Sequence, residues 1–293
     1  MRVSRRAALL GGLSTLVSGT AFGRGRTPPP PQPRLIFNET FINQKTLDAN
    51  WTTNSPFGDG LLSNATWGEQ QVYVGATGGY GNPSPFSFGA TGLTITATPI
   101  AAANRPPLPA GAYPTGYTGP NFACTYTSGC LSTLGLEDFT PPFYAEVSIK
   151  STPVPGFWLT GEFFGDPMTG FPEIDFVQLA TKRPTQSYPA MLTATGGEVA
   201  GNFVSASRSA NLSAAFHTYG VEFLTTGTNW YLDRKSVMTS RQVVRGNLFF
   251  TINLAAGDTW STTDSATDFI GPPSGQAGSI TIGYVQVWNI RPF

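Results

Sequence analysis

Charge is scarce in this chain. Of 293 residues only 17 are lysine or arginine and 17 aspartate or glutamate, about half the usual share. With a hydrophobic fraction of 40%, that composition belongs to a globular chain rather than a disordered one. Cysteine is limited to Cys124 and Cys130 and histidine to His217, too few for a closed four-ligand zinc site. No stretch approaches the ~20 apolar residues that a membrane helix needs. No window of about 11 residues combines a helical period with caps, so helices are expected to be rare. Residues 1 to 34 contain six arginines and no acid; without them, eleven basic residues face 17 acidic ones, a net charge of −6. That weakly acidic body lacks the footprint of a phosphate-backbone binder, and nucleic acid is not an expected partner.

Turn formers and rings are abundant instead: 34 glycines, 25 prolines, 21 phenylalanines, ten tyrosines and six tryptophans. Such a load suits a sheet-rich protein whose core or grooves are lined with aromatic side chains.

The N-terminus reads as an export signal over residues 1–23, with a basic start, an apolar run from Ala7 to Val17, and small residues at Ala21 and Gly23. Its Ser4-Arg5-Arg6-Ala7-Ala8-Leu9 resembles a bacterial twin-arginine signal; an ordinary secretory signal with two adjacent arginines is the alternative. Either predicts an exported protein, periplasmic or extracellular, that is soluble once the signal is removed. Residues 24–34 form a proline-rich spacer. Export permits a disulfide between Cys124 and Cys130 across a turn at Ser128-Gly129, and two buried free thiols are the other outcome.

From Leu35 onward, runs of four to eight alternating residues are separated by Gly, Pro, Asn or Asp clusters, as in Ala145 to Lys150, Tyr219 to Phe223 and Ile280 to Trp288. This spacing predicts an all-β antiparallel sandwich or barrel in one domain, residues 35–293. A Pro/Gly/Ala-rich insert from Ile100 to Gly119 is expected to rim a cleft or a sheet edge.

The chemistry is concentrated in Gly170-Phe171-Pro172-Glu173-Ile174-Asp175-Phe176-Val177-Gln178. Residues i and i+2 of a strand share a face, so Glu173 and Asp175 project together while Ile174 and Phe176 point inward. Two adjacent carboxylates raise one another's pKa, which suits a nucleophile tuned by a neighbour. A solvated sheet face carrying two acids is the bland alternative.

Glu-Ile-Asp-Phe-Val-Gln resembles the Glu-x-Asp-x-x-Glu signature of glycoside hydrolase family 16, the laminarinase and lichenase group, in its bulge-containing form. Other segments resemble that family in the same order: Leu35 to Phe41 with Leu47-Asp48 and Trp51, Trp67 to Tyr73, Phe143 to Lys150, Gly156 to Leu159, Phe216 to Phe223, Trp230 to Asp233, Phe249 to Trp260, and Ile282 to Trp288. The resemblance implies a β-jelly roll of two curved antiparallel sheets with a sugar-binding cleft. It also implies retaining hydrolysis of β-linked polysaccharide. Glu173 becomes the nucleophile and Asp175 its helper, with Trp67, Glu69, Tyr73, Trp158, Phe171 and Trp260 as substrate-binding candidates. No cofactor is expected, and a monomer is.

At the family's third carboxylate the chain has Gln178. An amide can hydrogen-bond a glycosidic oxygen but cannot protonate it, and losing acid and base help costs roughly 10²- to 10⁴-fold in rate. Glu162, Asp166 and Glu198 are the candidate substitutes. Cys130 stands where the family often has Arg, Phe171 where it often has Trp, and Gly283 where it often has the Asp of a structural calcium. His217 is expected to be a strand-end packing residue. Two functions follow: an exported endo-acting β-glucan hydrolase or transglycosylase, or a carbohydrate-binding descendant that uses the same cleft without cleavage.

Overall fold

In the computed structural model, eighteen strands are assigned among the described residues, which are 31–53, 55–56, 69–106, 124–166, 171–195, 198–203, 207–208, 211–257 and 275–293. Trp67, Trp260, the expected signal and most of the spacer lie outside the described residues. The strands are β1 (Leu35–Glu39), β2 (Gln71–Tyr73), β3 (Phe86–Gly89), β4 (Gly92–Pro99), β5 (Tyr126–Ser128), β6 (Cys130–Ser132), β7 (Phe143–Lys150), β8 (Phe157–Phe164) and β9 (Glu173–Ala180). After them come β10 (Gln186–Ser187), β11 (Ala190–Thr195), β12 (Glu198–Phe203), β13 (Ser207–Arg208), β14 (His217–Leu224), β15 (Gly227–Leu232), β16 (Lys235–Ser240), β17 (Phe249–Ala256) and β18 (Gly278–Trp288).

One sheet has ten strands, ordered β16-β15-β14-β7-β18-β4-β5-β2, with β1 also paired to β18 and β3 to β4. A second has six, ordered β12-β11-β9-β8-β17-β6, and β10 and β13 pair as a separate two-stranded ribbon. Pairing is antiparallel, as expected, except between β2 and β5, which run parallel. Residues 33–293 form one compact unit.

Alternation explains the sandwich. On β7, Phe143, Ala145, Val147 and Ile149 enter the shared core, and on β8 so do Phe157, Leu159 and Phe163. Rings close the interval between the sheets: Phe163 of β8 lies 5.4 Å from Phe143 of β7 and 5.6 Å from Phe223 of β14.

A short helix, α1 (Gln44–Asn50), was not foreseen. At seven residues it is shorter than any window in which a helical period can be read, and it is anchored by tertiary burial of Leu47 and of Trp51 just beyond it. The insert after Ile100 begins with a single 3₁₀ turn, Ala102–Asn104, and residues 107–119 lie outside the described set.

The turn from β15 to β16 places Asp233 and Arg234 at φ of 49° and 61°, the left-handed pair that a tight hairpin requires. Side chains hold both residues there. The Asp233 carboxylate accepts from the Thr218 backbone and pairs with His217 Nδ1 at 2.9 Å. Arg234 makes a bidentate pair with buried Glu146 on β7 at 3.0 and 3.1 Å. His217 is thus a strand-end residue tied to a turn of the ten-stranded sheet, as its sequence context suggested.

Candidate active site

Strand β9 is not a regular strand. Glu162 of β8 pairs with Asp175, but the preceding Gly161 pairs with Val177, so Phe176 is an extra residue with no partner. Both Phe176 and Val177 point into the core, where Phe176 stacks on Phe163 at 5.5 Å. Space for Val177 comes from Gly161, where a Cβ would meet Val177 Cγ2 at 2.8 Å. Beside the interrupted ladder, the Asp175 carbonyl accepts from the indole N–H of Trp230, which reaches across the core from β15 at 3.0 Å.

The bulge turns Gln178 to the face that carries Glu173 and Asp175, as the family pattern implied. Gln178 Nε2 donates to Asp175 Oδ2 at 3.3 Å. Register then lays out the outer face of the six-stranded sheet in rows. Gln178, Thr160, Asn253 and Cys130 form one row across β9, β8, β17 and β6. Asp175, Glu162, Thr251 and Ser132 form the next. Aromatic pairs bound this polar centre along the strands: Trp158 stacks on Tyr188 at 6.4 Å on one side, and Phe164 on Phe249 at 5.7 Å on the other.

Glu162, Glu173 and Asp175 bring carboxylate oxygens within 4.8 Å of one another. Three acids this close and this buried cannot all carry charge cheaply. Burial, then the charge of Glu173, pushes Glu162 up to about 8, against a smaller downward pull from its bond to Thr160. Burial pushes Glu173 up to about 7. Asp175 is fully buried and is held well above the ordinary range by that burial and by the other two acids. Two atoms here have no hydrogen-bond partner, Asp175 Oδ1 and Gln178 Oε1.

Beyond β17 the site continues into residues that the sequence singled out. Asn253 Nδ2 donates to the Tyr73 hydroxyl at 2.6 Å, and Glu69 accepts from Gln71 Nε2. Burial raises the Tyr73 hydroxyl well above its usual range, and the Glu69 and Glu162 charges add to the shift.

Each remaining expectation has a definite place. Phe171 is half-buried, two residues ahead of Glu173. Trp158 is on the site face, but packed against Tyr188, Ala180 and Ala255. The disulfide alternative is corrected: Cys124 and Cys130 are both buried thiols, the former on the coil before β5 and the latter on β6. Cys130 ends the row that starts at Gln178, and burial together with Glu162 and Glu69 pushes its pKa far up, so it is no reactive thiolate.

Of the candidate substitutes for the third carboxylate, Glu162 joins Glu173 and Asp175; Asp166 lies past the end of β8, and Glu198 begins β12 at the tip of its hairpin with β11, beyond the residues of β11 that pair with β9. Gly283 sits at a bulge of β18 beside Ser148 and Phe216 and offers no side-chain oxygen. Among the described residues, the three acids form the one group of side chains close enough to hold a cation. Thr160, Asn253 and Tyr188 were missed, since single polar or aromatic residues in alternating strands carry no signal until register places them.

No protein-family model matches this sequence, and none of the curated proteins matches it either. Solved structures do match in fold. The laminarinase catalytic domain of Thermotoga maritima superposes with a TM-score of 0.66 at 16% identity, over 89% of this chain and all of that one. The endo-β-1,3-glucanase of Pyrococcus furiosus gives 0.63 at 20% identity, over 88% and 95%. A Bacteroides ovatus family 16 protein from a mixed-linkage glucan locus gives 0.59 at 20%, over 86% and 99%. The sandwich built by the two large sheets is therefore the laminarinase-like fold of glycoside hydrolase family 16.

Proposed function

We propose that this chain is an exported, monomeric glycoside hydrolase or transglycosylase that acts within β-linked polysaccharide chains with retention of configuration, β-1,3- or mixed-linkage glucan being the favoured substrate. Glu173 is the nucleophile, and Asp175 orients it and tunes its charge. One observation carries this reading: Glu173 and Asp175 emerge side by side on the outer sheet face, in a partly buried acidic group bounded by aromatic pairs. The similar folds belong to proteins described as a laminarinase and an endo-β-1,3-glucanase.

A second reading, a carbohydrate-binding protein that does not cleave, is favoured by Gln178 alone. Chromatography of products from laminarin, lichenan and galactans, with the parent protein and Glu173→Ala, separates the two. Turnover that disappears in Glu173→Ala supports the hydrolase. Retardation of the parent by polysaccharide in an affinity gel, without products from any substrate, supports the binder and removes the hydrolase.

A further inference from the structure

The position that should deliver a proton to the departing sugar oxygen is occupied by an amide, yet a carboxyl group stands one strand away. Glu162 projects from β8 directly opposite Asp175, and its oxygens lie within 4.8 Å of those of Glu173. Retaining glycosidases hold their two carboxyl groups about 5 to 5.5 Å apart, while inverting ones leave about 6.5 to 9.5 Å for a water. The approach of one Glu162 oxygen to one Glu173 oxygen within 4.8 Å is compatible with the shorter spacing.

A separate observation points to a ligand at the same place. Gln178 is only 6% exposed and spends its Nε2 on Asp175, so its Oε1 is left as a buried acceptor without a donor. A sugar hydroxyl is a donor that fits it. Gln178 and Glu162 lie in adjacent rows of the same sheet face.

Resting on the hydrolase reading above, we propose that Glu162, supplied by the neighbouring strand, is the general acid and base of this site, and that Gln178 has become a substrate-binding residue. In the first step a Glu173 oxygen bonds to the anomeric carbon as the glycosidic C–O bond breaks. The electron pair of that bond passes to the departing oxygen, which takes the Glu162 proton. In the second step the Glu162 carboxylate takes a proton from water as the water oxygen bonds to the anomeric carbon. The bond to Glu173 breaks, its electron pair returns to the Glu173 carboxylate, and Glu162 is protonated again. Thr160, whose hydroxyl donates to Asn253 Oδ1, stands two residues before Glu162 on the same face of β8. Burial raises both carboxyls, and charge on one disfavours ionisation of the other, so the pair can hold one proton between them.

The test uses the full-length protein and Glu162→Gln, with laminarin and with a 2,4-dinitrophenyl β-laminaribioside, whose leaving group needs no protonation. Glu162→Gln should lose about 10²- to 10⁴-fold in kcat on laminarin. On the aryl substrate it should release a burst of phenol and then stall. Sodium azide should restore the steady rate and yield the β-glycosyl azide, which a variant damaged only in packing would not form. A parent that depends on Glu173 but is indifferent to Glu162→Gln, or a Glu162→Gln protein that forms no azide product, overturns the donor assignment and leaves the hydrolase standing. A parent inert on every glucan overturns both, and gain of activity in Gln178→Glu would then show that Glu162 does not replace the missing acid.

Discussion

Gln178 and Asp175, three residues apart on one strand, point to the same face and share a hydrogen bond of 3.3 Å, although regular alternation would set them on opposite sides. The extra residue that makes this so, Phe176, is held by stacking on Phe163 and by the room that Gly161 leaves for Val177. Gly161→Ala should therefore cost about 1 to 3 kcal/mol of stability, since the new methyl overlaps Val177. It should also weaken polysaccharide binding beyond what the stability loss explains. Urea titrations beside affinity gels check this; a variant with unchanged midpoint and binding would mean that the bulge does not need the glycine.

Trp230 supplies the donor for the Asp175 carbonyl from the opposite sheet. Trp230→Phe keeps most of the packing and orphans that carbonyl, and should cost about 1 to 3 kcal/mol. The check is a thermal or urea unfolding curve of the variant. A cost no larger than that of conservative ring replacements elsewhere in the core would show the bond to be dispensable.

The acidic group makes stability depend on pH in a definite direction. Glu162 and Glu173 bind protons more tightly folded than unfolded, with values of about 8 and 7. Their favourable contribution is complete below the ordinary carboxyl pKa and is lost as pH rises through those folded values. Asp175, Glu69, Tyr73 and Cys130 face the same space, and negative charge on any of them adds to the loss. Glu162→Gln should thus be more stable than the parent at pH 8.5, by on the order of a few kcal/mol, and melt at a higher temperature, with the gap shrinking toward pH 4. A gap of equal size at both pH values would contradict the assignment of raised proton affinity to Glu162.

Much of the fold was legible because alternation is a local signal: the runs at Ala145 to Lys150 and Ile280 to Trp288 are strands, and Glu173 and Asp175 share a face. The Gln178 orientation followed only from the family's bulge, since nothing local distinguishes Phe176 from any other inward residue. Glu162 was one of three upstream or downstream acids that could substitute. Its selection depends on which residue of β8 lies opposite Asp175, and cross-strand register is a property of two segments separated by a loop. The seven-residue helix was invisible because burial of Leu47 and Trp51, rather than a periodic pattern, stabilises it.

Both cysteines are buried thiols on separate surroundings, Cys124 beside Val72 and Ile100 and Cys130 on the site face. An aromatic disulfide reagent should titrate no thiol rapidly in the native protein and two per chain in guanidinium chloride, and dithiothreitol should leave the melting temperature unchanged. Fewer than two thiols after unfolding without reductant would restore the disulfide.

Buried Glu146 gathers Arg234, Tyr144 and Tyr284 on the outer side of the ten-stranded sheet. Arg234→Ala removes its only cationic partner among these and leaves the carboxylate to two phenols. The expected loss is ~3 kcal/mol, at the low end for a broken buried pair because the arginine is half exposed. Turnover or polysaccharide binding should stay within about twofold, measured beside a denaturation curve.

Strand β18, residues Gly278–Trp288, joins β1, β4 and β7, three segments that all end by Lys150. A ribosome must therefore reach Trp288 before the larger sheet can close. Until then the inner edges of β4 and β7 present unpaired amides and carbonyls beside apolar side chains, the surface on which nascent chains stick to one another. Production yield of this protein should consequently respond to holdase chaperones and to translation rate more than to changes around the acidic group.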